Sequence, residues 1–348
     1  MKPITIMTGT HTAPRDEWLA VRRKMIGASE ASAVIMNEYN GRMGVYLDKR
    51  GEAPQEHFDE DSQQRMDWGL RLEDAVASKF SEDTGMKARN TNRILVHPKT
   101  PFIGCNIDRR IEPSDGRGPG VLEIKTTSVF AFNKTWDVND DGTVTPPDRV
   151  LLQVAQQQYV SGLDYGYVAV LVGGQRMFIS RLLERDQAVE NLIVEKETEF
   201  WEKVQAGIPP IADIDGSSSM EELLKRMYPV GEGTVDLGDD APGNVDEYLK
   251  ARAERLAAEK IEKEFKNKLR YALGDNERAI VGDNEVMWKH SKDKEETDWD
   301  EMEKQYPMQM TAMRDQKATL EELARGHKKT VKGSRRFSVK EIVTDGDE

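Results

Sequence analysis

Residues 102–127 constrain the fold more than any other segment, because they read as two adjacent β-strands joined by a turn. The first strand is FIGCNIDRRI, residues 102–111, and the second is VLEIKTT, residues 121–127. Between them, EPSDGRGPG is rich in the Gly, Pro and Asp residues that are typical of turns. The segment is therefore predicted to form a β-hairpin.

The predicted hairpin carries two acids and a lysine in the order Asp-x14-Glu-x-Lys: Asp108, Glu123 and Lys125. Residues two apart on a strand point to the same side, so Glu123 and Lys125 share one face. Mg²⁺ is typically held by one or two carboxylates plus phosphate oxygens, and a nearby lysine can act on the attacking water. The arrangement suits phosphodiester hydrolysis, but a cross-strand salt bridge on a solvated face is the common explanation for such a triplet by itself.

A helix is predicted over MDWGLRLEDAVASKF, and it carries an acid among its apolar residues. Its apolar stripe runs from Met66 to Phe80, and the same spacing places Glu73 on that stripe. A charged group that faces a core needs a partner. Either a buried arginine pairs with Glu73, or Glu73 joins Asp108 and Glu123 around a metal ion.

Two further segments place polar residues at helical spacings. PDRVLLQVAQQQYVSG, residues 147–162, predicts a helix with Gln153 and Gln157 one turn apart. Near the start of the chain, Arg22 precedes Ser29 by about two helical turns if a helix continues through the intervening glycine. Arg22 and Ser29 could then grip one phosphate. The alternatives are surface amides in the first segment and a capped helix start in the second.

These residues belong to motifs that follow one another along residues 15–175: W-x3-R-x4-GASE, G-x3-E, G-x3-D, ExK, and P-x5-Q with a following SG. As an ordered set they resemble the lambda-exonuclease-like, YqaJ-type viral recombinase nucleases of the PD-(D/E)xK superfamily. The resemblance implies an α/β fold, in which a restriction-endonuclease-like core has a central mixed β-sheet flanked by helices.

The resemblance also implies roles for the matching residues. Metal binding would fall to Asp108 and Glu123, with the Ile124 carbonyl also in reach. Lys125 would act on the nucleophilic water. Glu73 and Gln153 would support the site. Arg22 and Ser29 would hold the terminal phosphate of DNA.

The identity of the active-site amide stays open. The helix continues as VAQQQY after Gln153, so Gln156 or Gln157 could take that position instead.

The activity implied by the resemblance is Mg²⁺-dependent digestion of one strand of linear double-stranded DNA from its end, with Mn²⁺ as an expected substitute. Digestion would run 5′ to 3′ and leave 3′ single-stranded tails for recombination by single-strand annealing. A single-strand annealing protein as partner, a ring-shaped homotrimer and a phage or mobile-element origin are implied by the family alone. The alternatives are a structure-specific or nicking endonuclease, and a catalytically silent DNA-binding or assembly module.

Composition is consistent with an enzyme of the cytoplasm. The chain has 348 residues and one cysteine, Cys105, so an internal disulfide is excluded. No signal peptide is evident, and no apolar run approaches the roughly 20 residues needed to span a bilayer. The net charge of −13 does not oppose DNA binding, because salt screens exposed charges beyond about 8 Å. Local basic residues near the motifs, such as Arg109 and Arg110, are candidates for a DNA groove.

The sequence predicts a nuclease domain over residues 1–210, a linker over residues 211–244 and a mainly helical extension with a small hairpin over residues 245–348. The linker prediction rests on IPPIADIDGSSSM and the acidic DLGDDAPGNVDE. In the extension, HKKTVKGSRRF at residues 327–337 is the most basic piece, and it is either a DNA contact or a solvated terminus.

Overall fold

The structure is a computed structural model, and it describes residues 2–38, 41–54, 60–238, 242–282, 284–289 and 299–325. The chain forms two compact units, Met1–Tyr228 and Pro229–Glu348.

The first unit alternates helices and strands. Its helices are α1 (Arg15–Arg22), α2 (Ala31–Met36), α3 (Gly41–Arg50), α4 (Glu60–Thr84), α5 (Val129–Thr135), α6 (Asp148–Ser161), α7 (Gln187–Ala206) and α8 (Ser218–Met227). Its strands are β1 (Ile4–Thr8), β2 (Ile26–Gly27), β3 (Lys87–Asn90), β4 (Arg93–Val96), β5 (Ile103–Asn106), β6 (Arg109–Glu112), β7 (Gly120–Thr127), β8 (Asp137–Val138), β9 (Val144–Thr145), β10 (Tyr165–Val172), β11 (Arg176–Ile179) and β12 (Leu183–Glu184).

A six-stranded mixed sheet lies at the centre of this unit. Its order is β11-β10-β7-β6-β3, and β12 also pairs with β10. Strands β7 and β10 run parallel, whereas β6 pairs antiparallel with both β7 and β3. A second, four-stranded sheet has the order β1-β4-β5-β2. The predicted α/β fold with a central mixed sheet flanked by helices is therefore confirmed.

The predicted strand 102–111 is not continuous, and this prediction was wrong in one respect. Its first part is β5 in the four-stranded sheet, and its second part is β6 in the six-stranded sheet. The break falls at Ile107 and Asp108. The β6–β7 register would place Ile107 opposite Ile124, but the Ile124 amide donates instead to the Asp108 carboxylate at 2.8 Å. A side chain thus replaces the backbone partner at the point where the chain changes sheets.

Helix α4 packs on the central sheet through only part of its length. Ala77 and Phe80 are buried against Leu122 and Ile124 of β7, as the apolar stripe predicts. The N-terminal part of the stripe does not reach this core, since Leu70 is 72% exposed. The prediction that the whole stripe faces the core was therefore wrong.

Helix α6 is confirmed over its predicted length. It begins after Pro147, which lacks a backbone N–H and suits the start of a helix, and it ends at Gly162 in the left-handed conformation with φ 72°. Val154 packs beneath β10, and Val160 packs with Cys105 and Val121. The helix therefore spans strands of both sheets and can present side chains to each.

The first half of the predicted linker is ordered as part of the first unit. Residues Ile211–Asp213 form a 3-10 turn, and α8 follows with Ser217 as its cap, because the Ser217 hydroxyl accepts from the Met220 amide. Met220 and Leu223, three residues apart on one helical face, are buried in an apolar cluster with Phe200. The unit consequently ends at Tyr228 rather than at residue 210.

The second unit is mainly helical with one hairpin. It contains α9 (Pro242–Leu273), β13 (Arg278–Val281), β14 (Asn284–Met287), α10 (Trp299–Gln305) and α11 (Pro307–Arg325). Helices α10 and α11 are separated before Pro307, because proline cannot donate a helical hydrogen bond. The basic segment 327–337 lies outside the described residues. Within the described part of the chain, no helix is both long enough and apolar enough to cross a membrane.

Candidate functional site

One cavity of about 700 Å³ in the first unit brings the predicted site residues together. It lies between the end of α1, the first half of α4, strand β7 and helix α6. The predicted residues that line it are Arg22, Ser29, Glu73, Asp108, Glu123, Ile124, Lys125 and Gln153. Residues that are far apart in the sequence thus share one surface.

Strand β7 supplies Glu123 and Lys125 to this cavity. Their side chains leave the same face of the strand, as the alternation predicts, and Leu122 is buried in the core on the other face. Glu123 is only 1% exposed. The Lys125 ammonium group donates to Glu123 Oε1 at 2.6 Å and to Gln153 Oε1 at 2.9 Å. The lysine is therefore fixed beside a buried carboxylate.

Asp108 is placed next to Glu123 by the break between β5 and β6. Burial is the main cause that raises the pKa of Asp108 well above its usual value, and the negative charge of Glu123 adds to it. For Lys125, burial opposes the charged form, but Glu123 and Asp108 outweigh it and raise the pKa of the lysine. Lys125 is consequently a cation at neutral pH, suited to orient water and to neutralise charge rather than to accept a proton.

Asp108 and Glu123, the first partly buried and the second fully buried, have the chemistry of a divalent-cation site. Within the described ranges, no group of three or more His, Cys, Asp or Glu side chains is placed to hold a metal ion. The set predicted here is smaller, with the carboxylates of Asp108 and Glu123 and the carbonyl of Ile124. Mg²⁺ is commonly bound by one or two carboxylates, with water and substrate phosphate completing its shell. The residues present fit that ion.

Glu73 lines the cavity but is paired with an arginine. Its carboxylate contacts the Arg109 guanidinium, which also donates to Asp74 at 2.7 Å and to the Asp108 carbonyl at 2.6 Å. Arg109 is 5% exposed. Of the two alternatives for Glu73, the structure therefore shows the buried arginine. The suggestion that Arg109 belongs to an exposed DNA groove was wrong for the same reason.

The glutamines of α6 differ in what they contact. Gln153 lines the cavity and donates to Glu123 Oε1 at 2.6 Å. Gln157 is fully buried and donates to Glu123 Oε2 at 2.7 Å and to the Asn106 carbonyl at 2.9 Å. Because Gln153 and Gln157 are one helical turn apart, their side chains lie on the same face of α6, as the sequence predicts. Their common partner Glu123 could not be identified from the sequence.

Gln156 has a different surrounding. Its amide donates to the carbonyls of Ile26 and Gly104, each at 3.0 Å. These carbonyls belong to β2 and β5, so Gln156 ties α6 to the four-stranded sheet and does not contact the acids. Among the three candidates for the active-site amide, Gln153 is the one that lines the cavity.

Arg22 and Ser29 meet, but not through a continuous helix. Helix α1 ends at Arg22, and the chain then forms β2 and a 3-10 turn over Ala28–Glu30. The predicted continuation of helical geometry through Gly27 was therefore wrong. Arg22 Nη2 nevertheless donates to Ser29 Oγ at 3.2 Å, and the guanidinium carbon lies 4.6 Å from the centre of the Trp18 ring. A guanidinium and a hydroxyl thus face the same cavity as the acids.

Comparison with known proteins gives two kinds of match. The model of the YqaJ-like viral recombinase domain matches residues 17–164. The uncharacterized protein YqaJ of Bacillus subtilis (strain 168) is 34% identical over 281 residues, which are 79% of this chain and 83% of that protein.

Two solved structures of one enzyme also align with the chain. The alkaline exonuclease LHK-Exo from Laribacter hongkongensis has 18% identity and a TM-score of 0.44, over 57% of this chain and 96% of that one. Its complex with dAMP has 20% identity and the same TM-score of 0.44, over 62% and 98%.

Proposed function

Because the chain belongs to the YqaJ family of viral-recombinase-like proteins, we propose that its cavity hydrolyses phosphodiester bonds of DNA. The observation that carries this proposal is the convergence of Asp108, Glu123 and Lys125 in one cavity, with Lys125 held by hydrogen bonds to Glu123 and Gln153. Hydrolysis of a phosphodiester requires a positioned water and stabilisation of negative charge at phosphorus. The two acids and the lysine are suited to both tasks.

A divalent cation would complete this chemistry. Asp108, Glu123 and the Ile124 carbonyl would hold Mg²⁺, or Mn²⁺ in its place. When bound, such an ion lowers the pKa of a coordinated water and stabilises charge on the phosphate oxygens. Lys125 would hold the attacking water through its ammonium protons. Gln153 would hold Lys125 and Glu123 in position through its hydrogen bonds to both. Glu73, held by Arg109, would form part of the cavity wall on α4.

The pairing of Arg22 with Ser29 supports action at DNA ends. A guanidinium offers several donors in one plane, so it binds the dianion of a terminal phosphate more strongly than it binds a DNA end that carries only a hydroxyl. A strand whose terminal phosphate contacts Arg22 and Ser29 would place a neighbouring phosphodiester near the acids. We therefore propose an exonuclease that degrades one strand of linear duplex DNA from its 5′ end and leaves 3′ single-stranded tails.

The family resemblance extends the proposal to biological context. It favours tails that serve recombination by single-strand annealing, with an annealing protein as partner. It also favours a ring-shaped homotrimer and a phage or mobile-element protein that acts in the bacterial cytoplasm. Sedimentation equilibrium tests the trimer, and co-purification with a candidate annealing protein tests the partner.

The activity is tested with end-labelled linear duplexes and a covalently closed circle of the same sequence in Mg²⁺. We expect digestion of the linear DNA alone, and faster digestion when the 5′ ends carry phosphate. Replacing Lys125 by Ala should reduce the rate by about 10² to 10⁴. Lys79→Ala is the matched control, because Lys79 pairs with Asp83 on the exposed surface of α4.

Two results would contradict the proposal in different ways. Cleavage of the closed circle would replace the exonuclease with a nicking endonuclease at the same site. Near-normal digestion by the Lys125→Ala variant would show that the lysine is not part of the reacting centre.

A further inference from the structure

A partly buried carboxylate, that of Glu30, contacts the Arg22 guanidinium. It accepts three sets of hydrogen bonds: from Arg22 Nη2 at 3.1 Å, from the Gly27 amide at 2.7 Å, and from the Lys49 ammonium group at 2.7 and 2.8 Å. The Lys49 side chain is 0% exposed, and its ammonium group also donates to the Arg22 carbonyl at 3.3 Å and to Asp48 at 3.2 Å. Glu30 therefore connects a buried lysine to the arginine at the cavity wall.

The contacts of Arg22 restrict it from several sides. One nitrogen, Nη2, donates to both Glu30 and Ser29. The Trp18 ring lies over the guanidinium carbon. The side chain remains 22% exposed, at the wall of the cavity. An arginine on the surface would sample many rotamers, whereas this one is held in a single orientation before any ligand arrives.

The charge of Glu30 makes its position unexpected for an anion site. Burial would raise the pKa of Glu30, but Lys49 and Arg22 outweigh burial and lower that pKa. Glu30 is therefore an anion behind a group that is proposed to bind a phosphate. By charge alone it would weaken the binding of that phosphate. A carboxylate at this location must therefore help phosphate binding in some way other than by its charge. The hydrogen bond that it accepts from Arg22 offers one such way.

We propose that Glu30 is a positioning residue for the recognition of a terminal phosphate monoester: anchored by Lys49 and the Gly27 amide, it fixes the Arg22 guanidinium toward the cavity. This inference rests on the proposed phosphate-binding function of Arg22 and Ser29. Lys49 offsets the charge of Glu30, and Arg23, which lies 4.0 Å from the Asp48 carboxylate, offsets the charge of Asp48. Together with Arg22 these groups keep one net positive charge. The pocket thus gains orientation without losing its attraction for an anion.

The substitution Glu30→Gln separates positioning from charge, because the two effects have opposite signs. If Glu30 acted only through its charge, removing that charge would tighten the binding of a phosphate. If Glu30 positions Arg22, the neutral amide would hold the guanidinium less firmly, and binding would weaken. The direction of the change therefore decides between the two roles.

The experiment measures fluorescence anisotropy of a duplex oligonucleotide with either a 5′-phosphate or a 5′-hydroxyl, in EDTA so that no hydrolysis occurs. The wild-type protein should prefer the phosphorylated end. Glu30→Gln should reduce the ratio of the two affinities by about tenfold, the usual effect of losing a hydrogen bond between charged groups. Inorganic phosphate, added as a competitor, should lose potency in parallel.

Glu190→Gln is the matched control. Glu190 is buried and, like Glu30, binds an arginine, since Arg185 donates to its two oxygens at 2.6 and 2.8 Å. It does not line the cavity. This variant should keep the wild-type ratio. Steady-state kinetics on phosphorylated ends give a second readout, in which Glu30→Gln should raise KM more than it lowers kcat.

A further variant keeps the test decisive if Glu30→Gln does not fold. Glu30→Asp keeps the charge but shortens the reach of the side chain, so it should lower the ratio only if Glu30 positions Arg22. An unchanged or increased ratio in the folded variants, or equal affinity of the wild-type protein for both ends, would overturn the inference. A wild-type protein that cuts no DNA but prefers phosphorylated ends, with that preference reduced in the Glu30 variants, would contradict the proposed hydrolysis while supporting the role of Glu30.

Discussion

Gln157 provides a sharp test of the proposed metal site, because it contacts Glu123 from behind. Among the described residues, Glu123 Oε2 accepts a hydrogen bond from the Gln157 amide at 2.7 Å, whereas Lys125 and Gln153 both donate to Oε1. Gln157 itself is 0% exposed. Replacing Gln157 by Met keeps most of the side-chain volume and removes the donor.

The expected loss follows from the type of bond that is removed. A hydrogen bond to a charged group contributes about 1.5–3 kcal/mol. Groups that orient metal ligands from behind typically change metal affinity by about 10- to 100-fold. Gln157→Met should therefore weaken Mn²⁺ binding by that factor, measured by titration calorimetry, and should raise the Mg²⁺ concentration needed for half-maximal digestion. The thermal midpoint should also fall, by about 2–4 °C per kcal/mol for a domain of this size.

Gln156→Met is the matched control for this prediction. Gln156 is the preceding residue, is equally buried, and donates to two backbone carbonyls rather than to Glu123. Its loss should lower the thermal midpoint by a similar amount and leave metal affinity unchanged. If Gln157→Met bound Mn²⁺ as tightly as the wild-type protein, or if both variants lost affinity equally, Gln157 would not orient a metal ligand.

Three further predictions follow from the first unit. Both carboxylate oxygens of Glu197 are buried without a partner among the described residues, and burial followed by the charge of Glu30 raises its pKa. The contribution of Glu197 to stability is thus present at acidic pH and lost as pH rises through its raised pKa. The Glu197→Met variant should therefore melt at a higher temperature than the wild-type protein, by a margin that grows with pH. A margin that does not change with pH would contradict this. Asp108→Asn should raise the melting temperature in EDTA at neutral pH, since it removes a carboxyl whose pKa is raised by burial and by Glu123, yet abolish stabilisation by Mn²⁺; retained stabilisation would remove Asp108 from the metal site. A chain that ends at Tyr228 should fold and digest linear DNA in Mg²⁺, because the site residues lie within Met1–Tyr228; an unfolded or inactive truncation, by circular dichroism and gel assay, would show that the second unit is required.

Local patterns predicted the elements that carry the site. Alternation along β7 placed Glu123 and Lys125 on one face and Leu122 on the other. In the structure Glu123 and Lys125 line the cavity, and Leu122 lies in the core. Pro147 and Gly162 marked the ends of α6. These features depend on neighbours within one or two turns of the chain, so the sequence contains the information that determines them.

The remaining features depend on contacts between distant segments. Nothing local shows that residues 102–111 join two different sheets, because the change occurs where the Asp108 carboxylate binds the Ile124 amide. The position of Glu73 on the apolar stripe of α4 indicated that its carboxylate needs a partner. It did not identify that partner as Arg109. The exposure of Leu70 was missed because periodicity gives the direction of a helical face and not which of its residues face a cavity.

The hydrogen-bond donors are unevenly divided between the two acids of the cavity. Glu123 accepts from Lys125, Gln153 and Gln157, whereas Asp108 accepts from the Ile124 backbone amide. Burial, followed by the charge of Glu123, raises the pKa of Asp108 well above its usual value. A divalent cation between the carboxylates would oppose both effects, because it attracts both charges and replaces lost hydration with direct coordination. The burial that makes two adjacent carboxylates unfavourable would thus also make a bound cation strongly favourable.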